Sequence, residues 1–129
     1  MDFKDIKTYE DACKKLGVDP NALPEVSLLP VKDQAPVIAH YKLIKIAEAL
    51  NNGWQPDWTK SSEYKYFPYF VIKKDKEHPS GFGFSFTSYA DWRAFAHVGS
   101  RLCFKSSDMA LYAGEQFADL YKEYFLINK

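Results

Sequence analysis

Apolar residues recur at helical spacing towards both ends of the chain and at strand spacing in its middle, which predicts helices flanking a sheet. Thr8-Tyr9-Glu10-Asp11 opens a short helix, with Thr8 as cap and an acidic residue three positions on, and Gly17 closes it. Residues 18–34 hold Pro20, Pro24 and Pro30 and read as an irregular surface connector. Pro36 suits the first turn of a second helix, which ends at Gly53. At ~100° per residue, Lys42, Lys45, Glu48 and Asn52 share one narrow polar side. Val37, Ala39, Leu43, Ile44, Ile46, Ala47 and Leu50 cover most of the rest, with His40 in the middle of that apolar arc. A helix so widely apolar is packed on more than one side.

Gly53-Trp54-Gln55-Pro56-Asp57-Trp58 reads as a rigid turn whose two large rings join helix to sheet. Tyr64 to Lys74 is a strand by residue type, and Pro68 places it at an edge or a bulge. From Phe82 to Ser88 the pattern alternates, with Phe82, Phe84 and Phe86 on one face and Gly81, Gly83, Ser85 and Thr87 on the other. Residues 89–99 either extend that strand or form a short helix capped by Ser88. Ser100 to Lys105 reads as a third strand, Leu102 and Phe104 opposing Arg101, Cys103 and Lys105. Ser106 or Ser107 caps the last helix, whose apolar face is Met109, Ala110, Ala113, Phe117, Leu120, Tyr121 and Tyr124. The fold class is therefore α+β. The expectation is a single domain over residues 1–129, with a small antiparallel sheet of about three strands packed by two longer helices plus a short N-terminal helix.

Composition sharpens this picture in one respect. Eleven of the 22 aromatic residues lie between Tyr64 and Phe95, so core and binding surface compete for the same rings. A small domain does not readily bury so many, and a leftover apolar patch marks a partner surface. Seventeen basic and 17 acidic side chains leave no net charge to draw the chain to a polyanion, although residues 34–107 are mildly basic between acidic ends. The N-terminus is acidic and no stretch approaches the ~20 apolar residues of a membrane span, so the expected setting is cytoplasmic, with Cys13 and Cys103 reduced and no membrane partner.

Three blocks carry a resemblance: HYKLIKIAEALNNGWQPDW (40–58), YKYFPYF (64–70) and VGSRLCFKSSDMALYAGEQFADLYKEYFL (98–126). They resemble a group of short uncharacterised proteins of gut Bacteroidales and of their phages and prophages. The resemblance implies a bacterial or phage setting and brings no catalytic residues with it. Separately, Ser80-Gly81-Phe82-Gly83-Phe84 resembles the Gly-Phe-Gly-Phe core of the RNA-binding signature of RRM and cold-shock domains. Ser80 stands where the leading basic residue belongs, Ser85 replaces the aliphatic one, and the element order is not that of an RRM.

Candidate chemistry is sparse. Cys103 with His97 six residues before it, and His40 on its apolar arc, are the candidates for an enzyme site. The histidines and cysteines share no metal-ligand spacing, and no phosphate loop, dinucleotide fingerprint, nucleophile elbow or zincin motif occurs. No metal or cofactor is expected. Asp57 with Glu63 is a carboxylate pair beside aromatics, the cast of a sugar site, but Asp57 also suits a turn cap after Pro56. The residues backed for partner or nucleic-acid binding are Trp54, Trp58, Tyr66, Tyr69, Arg93, Arg101 and Lys105. The leading expectation is a non-enzymatic interaction protein that self-associates, by homodimerisation through the Pro68 strand or the Trp54/Trp58 turn. The alternatives are a single-stranded nucleic-acid binder and an enzyme using His40, His97 or Cys103.

Overall fold

The computed structural model describes residues 2–74, 82–92 and 98–127, with side chains described up to residue 70 and from residue 98. A short 3-10 turn at Phe3–Asp5 precedes α1 (Tyr9–Leu16), α2 (Val31–Asn51), β1 (Lys65–Lys74), β2 (Phe82–Trp92), α3 (Ser107–Gln116) and α4 (Ala118–Phe125). The chain is an α+β protein. None of its described helices is long and apolar enough to cross a membrane.

The start of α1 follows from its first four residues. The Thr8 hydroxyl accepts from the Asp11 N–H at 3.0 Å, and the Asp11 carboxylate returns the bond to Thr8 N–H at 3.2 Å. Two otherwise orphaned donors are thereby satisfied. Gly17, at φ +73°, takes the left-handed turn that closes the helix.

The second helix departs from expectation at its start. It begins at Val31, not at Pro36, and Pro36 lies in its interior. Pro30 occupies the cap without a side-chain bond, so no capping signal marks the boundary. A cap is worth about 1 kcal/mol. Leu43, Ile46 and Leu50 are each about 1% exposed, and burying such side chains is worth roughly 1.5–3 kcal/mol apiece. Packing outweighs capping, and α2 is held from its middle outward. Its buried residues face α1 on one side and α4 on the other, as its broad apolar arc required.

The sheet is an antiparallel pair, β1 against β2, running from Lys65 opposite Trp92 to Lys74 opposite Phe82. Residues 89–92 thus extend the second strand, while 93–97 lie outside the described residues. A bulge between Tyr69 and Phe70 follows directly on Pro68. The expected third strand is reduced to one bridge, in which Tyr66 and Phe104 exchange both backbone bonds at 3.0 and 2.7 Å. The reason lies on β1. Backbone groups of residues i and i+2 point to the same side of a strand, so the next donor on this edge belongs to Pro68, which has no N–H. The alternation expected for 100–105 also fails: Leu102, Cys103 and Phe104 are all buried, and Arg101 and Lys105 are exposed.

The long C-terminal helix is two. Ser106 caps α3 through a bond from Met109 N–H at 3.2 Å, but Phe117 leaves helical geometry at φ −113°, ψ 28° and separates α3 from α4. Its ring, 5% exposed, turns into the core and meets Tyr112 edge-on at 6.3 Å. Met109, Ala110, Ala113, Gly114 and Tyr121 are buried with it. On α3, Tyr112 donates to the Ile6 carbonyl at 2.6 Å and Gln116 to the Lys7 carbonyl at 2.8 Å, which docks the N-terminal turn against this helix. The core therefore joins α1, α2, α3 and α4 to the Leu102–Phe104 segment.

Candidate binding site

The chain leaves α2 through two left-handed residues, Asn52 at φ 48° and Gly53 at φ 91°. The Trp54 N–H returns to the Asn51 carbonyl at 3.0 Å, so the indole is set down beside the last turns of the helix. Pro56 and Asp57 then start a turn in which Asp57 Oδ1 accepts from the Thr59 N–H at 2.9 Å and its hydroxyl at 2.6 Å. These Thr59 bonds hold the Asp57 carboxyl below its usual range.

The turn closes on a buried ammonium. Lys65, fully buried on β1, donates to the carbonyls of Asp57 at 2.7 Å and Lys60 at 3.1 Å. Its Nζ lies 3.5 Å from Glu63 Oε1 and 5.2 Å from the centre of the Trp58 ring. Glu63 Oε1 also accepts from the Asp57 N–H at 2.8 Å. Asp57 and Glu63 are thus engaged in building the turn, and Asp57 takes the capping role that its position after Pro56 suggested.

With the ring of Trp58 held over Lys65, its indole N–H donates to the Ser100 hydroxyl at 2.6 Å. A second tie runs from the helix. Asn51, 5% exposed, donates to the Cys103 carbonyl at 2.9 Å and accepts from the Lys105 N–H at 3.3 Å. Between these ties lies a cavity of about 320 Å³. It is lined by Ile44, Glu48 and Asn51 of α2, by Ser100 and Arg101, and by Trp54, Gln55 and Pro56 of the turn. Glu48 and Arg101, both exposed, bring opposite charges to this lining and form no ion pair with each other.

Of the residues expected to bind a partner or nucleic acid, Trp54 and Arg101 line this cavity, and Trp58 bonds to Ser100, which also lines it. Tyr66 instead serves the Phe104 bridge and packs at the margin of the core. Tyr69 is 53% exposed on β1, and Lys105 is exposed beyond Phe104. Arg93 and His97 lie outside the described residues, and so do the side chains of the Gly-Phe-Gly-Phe strand. Asn51, Lys65 and Glu48 were not singled out by sequence. Asn51 had a readable signal, since it follows Leu43 and Ala47 at four-residue steps on the buried stripe of α2.

The two enzyme candidates that are described sit elsewhere. Cys103 is fully buried, its thiol 3.6 Å from the Ser100 carbonyl, and burial pushes its pKa up to about 11. A thiol held protonated is a poor nucleophile. His40 stacks on Tyr124 at 4.6 Å in a second hollow of about 510 Å³, lined also by Val98, Leu102 and Phe125. Among the described residues no group of three His, Cys, Asp or Glu side chains could hold a metal ion.

One further surface stands out by exposure. Leu28 is 97% exposed, Val31 84% and Leu29 39%, all within the approach to α2. Compared with known proteins, the chain matches no protein-family model, no curated protein and no solved structure.

Proposed function

We propose that this chain is a non-catalytic interaction protein of a bacterial or phage-derived locus, acting in the cytoplasm by self-association. The observation that carries this reading is the apolar run Leu28, Leu29 and Val31, whose side chains are presented to solvent at the entrance of α2. The resemblance of the 40–58, 64–70 and 98–126 blocks to proteins of Bacteroidales and their phages supports the setting.

An isologous contact brings this patch twice. Burying a fully exposed Leu or Val is worth roughly 1.5–3 kcal/mol. Counting Leu28 and Val31 from both copies gives about 6–12 kcal/mol, against an association cost of roughly 4–15 kcal/mol. The balance supports a weak dimer rather than a permanent one. The formal net charge of zero adds no long-range repulsion between copies.

Light scattering coupled to size exclusion, over a concentration series, tests the reading. A dimer fraction that rises with concentration, and disappears in Leu28→Asp and Val31→Asp, is the expected result. A monomer at every concentration would overturn self-association. A short single-stranded oligonucleotide added at low salt provides the competing arm. A shift that reverses at high salt would put the nucleic-acid reading first.

A further inference from the structure

We infer that the cavity between α2 and the Ser100–Arg101 segment binds a small zwitterion, an α-amino acid with an apolar or aromatic side chain. The argument begins with the charges. Glu48 and Arg101 both line the cavity, and Arg101 makes no ion pair or hydrogen bond among the described residues. Glu48 meets Lys45 through Oε1 alone, at 3.5 Å on an exposed surface, a contact of little energetic weight. A simple anion suits Arg101 but faces Glu48, and a simple cation meets the reverse conflict. A neutral guest engages neither charge and gains only the apolar lining. A molecule carrying both an ammonium and a carboxylate meets both charges.

The remaining lining selects the body of the guest. Trp54 adds an aromatic ring to the lining, and Ile44 and Pro56 are apolar. The volume of about 320 Å³ lies at the small end of ligand sites and fits a single amino acid better than a nucleotide or a peptide.

The walls are also fixed in advance. Asn51 ties the helix to the Cys103–Lys105 backbone, and Trp58 ties the turn to Ser100. Such preorganisation lowers the ordering cost of binding. The site is independent of the self-association surface, because Glu48 and Val31 are separated by most of the length of α2, roughly 25 Å at ~1.5 Å per residue.

Calorimetric titration of the full chain with L-phenylalanine and L-leucine tests the inference. 3-Phenylpropionate, lacking the ammonium, and phenethylamine, lacking the carboxylate, are the controls. Saturable binding of at least one amino acid is expected, with both controls tenfold or more weaker. Arg101→Gln and Glu48→Gln, verified as folded by circular dichroism, should each weaken binding of that amino acid tenfold or more. The Trp54 indole N–H resonance should shift on titration. No saturable binding of either amino acid up to about 10 mM, a free energy of only some 3 kcal/mol, would overturn the proposal. Equal binding of the controls, or unchanged affinity in both charge variants, would overturn it as well. None of these outcomes depends on the oligomeric state.

Discussion

Asn51, at the last turn of α2, donates its side-chain amide to the carbonyl of Cys103, 52 residues away, at 2.9 Å and inside the core. Its oxygen also accepts from Lys105, so one side chain satisfies two backbone groups flanking Phe104. Asn51→Leu keeps the volume and orphans both. Each buried unsatisfied group costs about 1–3 kcal/mol, so a loss of roughly 2–4 kcal/mol is expected in urea unfolding. A loss below about 0.5 kcal/mol, within the range of ordinary surface substitutions, would show that water replaces the amide without penalty.

The Lys65 ammonium ties the 57–63 turn to β1 through two carbonyls and Glu63. Lys65→Met should cost about 3 kcal/mol, since it leaves the carbonyls of Asp57 and Lys60 without their donor. Glu63→Gln keeps an acceptor and, with Glu63 partly exposed, should cost under about 1 kcal/mol. Chemical unfolding followed by tryptophan fluorescence separates the two. Equal losses would mean that the ion pair, and not the carbonyl contacts, dominates.

Alkaline pH should loosen the protein in a defined window. The Cys103 pKa is raised from 9.0 to about 11 by burial, so the unfolded thiol ionises first. Its contribution is fully present below pH 9.0, falls as pH rises, and is gone above about 11. Burial also raises Tyr9 and Tyr121, which adds to the loss at the upper end. In Cys103→Ala the decline in stability across this window should be shallower, as read from urea midpoints at successive pH values. An unchanged slope would assign the decline to the tyrosines.

Tyr112 holds the N-terminal turn through the carbonyls of Ile6 and Lys4. Tyr112→Phe should cost about 1 kcal/mol. It should also raise amide exchange in residues 3–7 without raising it in α2, because only the docking bond is lost. Uniformly faster exchange would place Tyr112 in the global core.

The sequence exposes some of these features and conceals others for physical reasons. The Thr8–Asp11 box and Gly17 are local devices, so α1 is legible from ten residues. The start of α2 is not, because Val31 and its neighbours are exposed and leave no apolar rhythm to follow. Phe117 breaks the C-terminal helix without glycine or proline at the break, driven by the burial of its own ring. The alternation of 100–105 suggested a strand, yet the deciding residue, Pro68, lies on the neighbouring strand. At the cavity, Trp54 and Arg101 are recognisable by residue type. Lys65 is not, since its role exists only once the turn has folded over it.

Pro68 has a consequence beyond the sheet it sits in. Exposed strand edges recruit further strands, which is how folded domains polymerise into cross-β fibres. Along the outer edge of β1 an incoming chain would find Tyr66 already occupied by Phe104, then a missing donor, then a bulge. That sequence of obstacles makes the outer edge of β1 a poor template for an added strand.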